Sequence, residues 1–300
     1  KGMELSFTWN DEIKNVAGSP LSYSVGIGIS DNTSEITRYD NPTKSLNETY
    51  YEGMKIGEIW GYETEGFIQD KTEAAEMADR QSFISTTWIP GDIKYADLDG
   101  NGKINQGNNR VGDSGDRKII GNNTPRYNFN INLGGSWKGF DLRLFFQGTM
   151  KRDIWLDSPI FWGYDGMWSS CLNDYHVDNS WSATNTNAYY PVPLFDKRSK
   201  QVQSKYIQNG AFIRLKDVTL SYTIPKTLTS RIGIQQLKVY VSGQNLWEAT
   251  GLYKYLDPDV VGSRRTSTAD NKTVGDLAAD AGGRVYPFTR SYSFGINVTF

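Results

Sequence analysis

The sequence predicts an all-β protein of a particular kind: an antiparallel transmembrane β-barrel segment of about seven strands, with long extracellular loops. Three observations carry that expectation. Stretches of about ten residues alternate large apolar residues with small or polar ones, the two-residue period of a strand whose faces meet different surroundings. Short and long connections alternate along the chain, as they do between the two rims of an outer-membrane barrel. No run approaches the roughly 18 apolar residues of a membrane-spanning helix, whereas strands of about ten residues can cross a bilayer at a tilt.

The strands follow in order. Met3, Leu5, Phe7 and Trp9 share one face of GMELSFTWN. DEIKNVAGSP (11–20) reads as a turn, after which Leu21, Tyr23, Val25, Ile27 and Ile29 alternate with Ser and Gly. Tyr127, Phe129, Ile131 and Leu133 alternate with Asn128, Asn130 and Asn132; Lys138-Gly139 then predicts a tight hairpin into Phe140, Leu142, Leu144 and Phe146. FIRLKDVTLSYTI changes phase near Lys216 and Asp217, which predicts a β-bulge. PKTLTSRIG turns the chain into a strand marked by Leu237, Val239 and Val241. The last strand is SYSFGINVTF, with Tyr292, Phe294, Ile296, Val298 and Phe300 on one face. The remaining connections, about 31–125, 151–211 and 248–290, are long.

In this reading the Leu, Ile, Val and Phe residues face the lipid bilayer, and the Asn, Ser, Gly and charged residues, among them Asp141, Arg143, Arg214 and Lys238, face a wet lumen. Trp9, Trp137, Phe140 and Phe300 fall toward one rim, and Tyr127, Phe212, Trp247 and Tyr292 toward the other, as two interfacial belts require. A soluble β-sandwich alternates equally well. It does not need faces so consistently small or polar, or aromatics at both ends of the other face.

An odd strand number puts the two ends of the chain on opposite sides, whereas bacterial barrels close with even numbers. An open sheet would also leave two unpaired edges in lipid. The chain is therefore expected to be the C-terminal part of a larger barrel, beginning on the outer face. KGMELSFTWN carries neither an initiator Met nor a signal-peptide pattern, which suits a mature piece or a fragment. A net charge of −2 gives no general attraction to nucleic acid, so no nucleic-acid partner is expected. The single Cys171 excludes an internal disulfide and the single His176 a multi-histidine metal centre.

Segments 50–67, 90–105, 116–148, 209–225 and 241–260 are similar, in order, to the C-terminal third of SusC/RagA-type transporters, the TonB-dependent outer-membrane importers of Bacteroidetes. The resemblance implies a barrel commonly of about 22 strands, so about 15 more would lie elsewhere. It also implies an N-terminal plug, which with its TonB box is absent from this chain, and a SusD-like surface lipoprotein acting as a lid. Cargo, an oligosaccharide or a peptide, would be imported with energy delivered by TonB through the missing N-terminal portion. Phe300 resembles the terminal aromatic read by the outer-membrane assembly machinery. A passive porin and a surface glycan-binding β-protein are the alternatives.

DLDGNGKIN is the strongest local motif. Asp97, Asp99 and Asn101 occupy positions one, three and five of an EF-hand-like loop, Gly102 permits the sharp turn, and Ile104 can anchor it. Lys103 would lend its carbonyl and Asn105 the ninth position; the twelfth is Asn108 rather than Glu, so Asp113 or Asp116 would have to substitute after a detour. The expected ligand is a structural Ca2+, or Mg2+. The second long loop is dense in aromatics, of which Trp155, Trp162, Tyr164, Trp168 and Trp181 are candidates for facing cargo or lid; the plainer reading is that they form the loop's own core. KTEAAEMADR (71–80) reads as a short surface helix. No nucleophile–base motif is present, and Cys171 with His176 is read as incidental, so no enzymatic role is expected.

Overall fold

A computed structural model describes residues 1–164, 170–261 and 286–300. Seven strands form one antiparallel sheet in chain order: β1 (Gly2–Val16), β2 (Ser19–Asn32), β3 (Arg126–Trp137), β4 (Phe140–Lys151), β5 (Phe212–Thr223), β6 (Gln236–Thr250) and β7 (Ser291–Thr299). Each strand pairs with its sequence neighbour, and β1 and β7 form the edges.

The tight turns are set by local chemistry. Ala17 and Gly18 lie at φ 49° and 82°, Lys138 and Gly139 at 48° and 86°. Two consecutive left-handed residues make the turn whose twist matches flanking antiparallel strands. The first pair shortens the turn expected over 11–20. Ile13 pairs with Leu21 and Val16 with Ser19, so both strands run on beyond the apolar stretch and irregular pairing is confined to residues 13–16. Sequence alternation fades there because the strand has passed out of the region where its two faces meet different solvents. The expected bulge is present: the register shifts between Leu215 and Asp217 against both neighbouring strands, and Asn245 opposite takes φ 53°.

The register stacks the two faces as the alternation requires. Trp9, Val25, Leu133, Leu144 and Val218 form one cross-strand row. Exposure remains high on this face, 66% at Leu5, 54% at Phe7, 50% at Val241 and 72% at Phe294. An apolar surface this continuous is not stable in water and suits contact with lipid. The opposite face carries Asn128, Asn130 and Asn132 opposite Ser30, Gly28 and Gly26. Phe140 and Tyr222 meet ring to ring at 4.5 Å beside the Lys138–Gly139 turn. Phe212 departs from the expected belt: it is 9% exposed and shares a face with Arg214, so it faces inward.

At the other end of the sheet, the three long connections do not stay separate. Ile59, Tyr62, Ile68, Met77, Ile93 and Tyr95 from the first, Trp155, Phe161, Trp162, Tyr190 and Tyr206 from the second, and Leu252, Tyr253, Leu256 and Val261 from the third share one buried core. Burying each such side chain contributes about 1.5–3 kcal/mol, enough to order segments with little sheet of their own. A backbone hydrogen bond from Tyr62 N to the Val202 carbonyl (2.8 Å) sews the first to the second, and one from Gly210 N to the Arg152 carbonyl (2.7 Å) closes the base of the second. Short ribbons add to this, Glu58–Tyr62 with Arg117–Asn122 and Thr64–Phe67 with Ile93–Tyr95. Helix α1 (Lys71–Arg80) occupies the expected residues; Asp70 caps it by accepting from Glu73 N, and Ala74 and Met77 anchor it. Fully buried Gln81 then bridges outward, donating to the Ile93 carbonyl at 3.1 Å and accepting from Tyr95 N at 2.6 Å.

Candidate functional site: the loop module and the barrel mouth

The acidic turn is built as its spacing demands. Asp97 accepts from Gly100 N at 2.7 Å and Gly102 N at 2.8 Å, with both glycines at positive φ (74° and 81°). Asp99 accepts from Asn101 N at 3.0 Å, and Asn101 in turn accepts from Lys103 N at 2.7 Å. Ile104 is fully buried and fixes the turn to the module core. Residues 106–115 make an excursion that closes on itself, Asn108 bonding Asp113. The chain then returns Asp116 beneath the turn, where it accepts from Leu98 N at 2.8 Å and Asn105 N at 2.7 Å. The carboxylates of Asp97, Asp99 and Asp116 each offer an oxygen within 4.8 Å of the others. Asn105 Nδ2 donates to the Lys103 carbonyl at 3.1 Å, and the Lys103 ammonium pairs with Asp79. The backbone N–H groups, that of Gly102 foremost, hold the Asp97 carboxyl below its ordinary range. Burial pushes the Asp116 carboxyl up.

The aromatic residues of the second connection have a different disposition from the one their density suggests. Trp155 and Trp162 are 2% and 3% exposed, with ring centroids 5.8 Å apart, and Trp162 Nε1 donates to the Leu156 carbonyl at 3.0 Å. A side chain enclosed in this way cannot stack on cargo or a lid, so the expectation of a facing role is corrected for both. The driving force is dehydration of the loop's own core. Trp181 is half-buried against Gly91 and Val192. Tyr164 is also half-buried, lies 6.0 Å from Phe195, and its carbonyl accepts from the Lys200 ammonium. Trp168 lies outside the described residues. Phe300 is 81% exposed at the end of β7.

Below the module, the inward face carries charge. Asp141 binds Lys238 across the sheet at 3.1 Å and accepts from Ser136 at 2.6 Å, joining β3, β4 and β6. Nearer the loops, Arg214 is 3% exposed and inserts its guanidinium among Glu248 (Nε to Oε2, 2.7 Å), Asp257 (2.5 Å) and Asp259 (3.5 Å), while Lys216 pairs with Asp259. Burial pushes the Asp257 carboxyl up, but Arg214 and the N–H groups of Asp259 and Phe288 outweigh it and hold it below the ordinary range. Phe288 lies 5.1 Å from Arg214 and 4.2 Å from Lys216. The sequence marks Arg214 as inward and the LDPDV carboxylates as loop residues; the fold brings them together. Two clefts open beside this mouth. One of about 290 Å³ is lined by Arg214, Glu248, Tyr255, Asp257, Phe288 and Arg290. Another of about 470 Å³ is lined by Asn32, Lys55, Asn122, Arg126, Lys151 and Asp153.

His176 is the residue that sequence reasoning undervalued. It is fully buried among Phe161, Tyr190 and Tyr253, while Cys171 is exposed, so the two do not form a pair. A lone histidine in an aromatic-rich loop carries no sequence signal for this; the Asn at 173, three residues earlier, is the one cue to a helix cap.

No family model matches the chain. Two curated relatives do, both from Formosa agariphila: TonB-dependent receptor P3, 33% identical over 249 residues, and TonB-dependent receptor P26, 25% identical over 236 residues. These alignments take in 83% and 77% of this chain but 22% and 21% of the relatives, so the chain spans about a fifth of their length. Among solved structures, the RagAB peptide transporter covers the whole chain with 29% of its own, at TM-score 0.63 and 19% identity. The RagAB peptide importer in its open-open state gives 0.61 at 20% identity. These likenesses fix the fold as part of an outer-membrane transporter barrel, and the named relatives are receptors and transporters rather than enzymes. The edge positions of β1 and β7 among the described residues, the lipid-suited face and the sequence match converge: this chain belongs to the TonB-dependent receptors, and its fold matches part of the RagAB transporter.

Proposed function

We propose that this chain supplies seven wall strands and much of the extracellular cover of an importer that takes up oligosaccharides or peptides across the bacterial outer membrane. The observation that supports this best is the joining of the three long connections into one cored module above a polar inner wall. A passive pore gains nothing from such a cover, whereas an importer that must hold its cargo before energised passage does. The two clefts beside the mouth both carry charged and amide groups able to bond hydroxyls or peptide groups, and the one beside Arg214 adds Tyr255 and Phe288, which can stack on flat faces. In this reading a SusD-like lipoprotein seats on the module, and TonB acts through a plug carried by the remainder of the transporter. RagAB, named as a peptide importer, favours peptide over glycan by likeness alone.

The acidic turn has a structural part in the same proposal. Asp97, Asp99 and Asp116, with Asn101, Asn105 and the Lys103 carbonyl, would hold Ca2+ and pin residues 106–115 to the module. The cation would relieve the mutual repulsion of three close carboxylates.

The deciding experiment is purification of the intact transporter from outer membranes in mild detergent, with every co-purifying polypeptide identified. Recovery of a plug-bearing barrel with a surface lipoprotein, retaining labelled peptide or oligosaccharide that free barrel loses, supports the proposal. Recovery of the barrel alone, with TonB-independent diffusion of solutes, replaces it with the passive pore.

A further inference from the structure

His176 occupies position three of the short helix Asp174–Asn179, and its imidazole faces inward with no exposed surface. Its two ring nitrogens have opposite duties. Asn173 N donates to Nδ1 at 3.3 Å, so Nδ1 must be an acceptor. Nε2 lies 3.0 Å from the Phe161 carbonyl, which can only accept, so Nε2 must carry the hydrogen. Tyr253 Oη lies 3.4 Å from the same Nε2 and brings in the third long connection. These partners admit one protonation state, the neutral Nε2–H tautomer.

The ring cannot turn away to find others. Gly163, at φ 68°, sits so close that an added Cβ would fall 2.7 Å from imidazole atoms. Tyr190 lies 5.2 Å from it, ring to ring, Tyr253 6.3 Å and Tyr175 6.4 Å. Those tyrosines are the titratable side chains that face it. Asp174 and Asp178, on its own helix, are exposed to solvent. Lys254, a cation, packs 4.9 Å from the Tyr175 ring. Among the described residues no carboxylate bonds to the ring.

We infer that His176 is an acid-sensitive latch joining the second long connection to the third. A proton added at Nδ1 points at the Asn173 N–H, turning an accepted hydrogen bond into two opposed donors, and places an unpaired cation in an aromatic core. The Nδ1 arm of the helix cap is lost, expulsion of the cation from the core carries the Tyr253 contact away with it, and the two connections part. Burial depresses the imidazole below its ordinary value, with the Phe161 and Ile160 carbonyls opposing only in part. The folded state therefore binds fewer protons than the unfolded one. The stabilisation is complete above the unfolded histidine value and is lost as pH falls below it.

The test is hydrogen exchange on the whole transporter in detergent micelles, corrected for intrinsic rates, from about pH 7.5 to about pH 4.5. Residues 173–180 and 251–256 are expected to lose about tenfold in protection on acidification, reversibly, while β3–β5 do not change. His176→Gln keeps an acceptor for Asn173 N–H and takes no proton, so its protection profile is expected to be flat. Unchanged wild-type protection to the acid limit, or equal loss in His176→Gln, overturns the inference. If the variant fails to assemble, the wild-type slope decides: uptake of about one proton per opening supports the latch, and opening without proton uptake refutes it.

Discussion

Arg214 shows how one side chain can hold a loop to a wall. Its side chain is 4% exposed and faces Asp257 at 8% and Glu248 at 27%, so each charge is stable only while the others remain. Removing the guanidinium in Arg214→Met strands two largely desolvated carboxylates, and the expected cost is about 3 kcal/mol. Arg214→Lys is expected to recover only part of this, because an ammonium cannot bond Glu248 and Asp257 in the planar fork that the guanidinium makes. Thermal unfolding of the detergent-purified transporter measures both. The same network gives a pH dependence of opposite chemistry to that of His176. Asp257 is held below its unfolded value, so its contribution is present above that value and disappears as pH falls through the depressed one. Acid unfolding near the mouth should shift to higher pH in Arg214→Met, where nothing holds the carboxyl down. An unchanged acid midpoint would show that Asp257 owes its state to backbone N–H groups instead.

At the scale of elements, the loop module explains why most strands could be read from sequence while the site could not. Strands β1 to β7 announce themselves because every second residue meets lipid, and that constraint repeats locally. Even the bulge at Lys216 is visible, as a phase change. The module obeys no period. Trp155, Phe161, Tyr190, Tyr206 and Tyr253 come from two connections and meet through contacts that no local pattern encodes. Their abundance is legible as a need for burial, but not which surface they bury against; hence Trp155 and Trp162 lie inside. Trp162→Ala should therefore open a cavity costing about 3–5 kcal/mol, with the damage confined to the module. Limited proteolysis should cut the long connections of the variant, while the barrel keeps its heat-modifiable mobility on gels. Selective loss of cargo binding by an intact, protease-resistant module would instead return Trp162 to a facing role. The acidic turn is a case between. Its first nine positions follow a spacing rule and fold into a turn held by its own side chains, whereas Asp116 arrives only after the excursion closed by Asn108 and Asp113. If Ca2+ occupies the turn, chelation should expose residues 106–115 to protease, and Asp116→Asn should do so without chelator. Equal protection with and without Ca2+ would leave a turn held by its hydrogen bonds alone.

For the whole molecule the controlling fact is that one face of the sheet must meet lipid and the other water. Leu133 sits midway along β3 in the row formed with Trp9, Val25 and Leu144, while Asn132, its immediate neighbour, points the other way opposite Gly26. A charge at these two adjacent positions tests the orientation of every strand at once, since one register fixes them all. Leu133→Arg puts a guanidinium on the lipid-facing band and should cost up to about 2–4 kcal/mol, whereas Asn132→Arg places it in the hydrated interior, where the membrane penalty does not apply. The measurement is the denaturant midpoint of the transporter refolded into bilayers, with assembled yield in the outer membrane as a second reading. A soluble sheet would give the same order, because its continuous apolar face would have to be the core and its Asn face the surface, so the pair of variants identifies the dry face and a second condition must identify what covers it. The two cases separate in detergent-free buffer. A membrane wall aggregates there with either residue at position 133, since the face itself is the liability, while a soluble sheet stays monomeric as wild type and fails only when Leu133 is replaced.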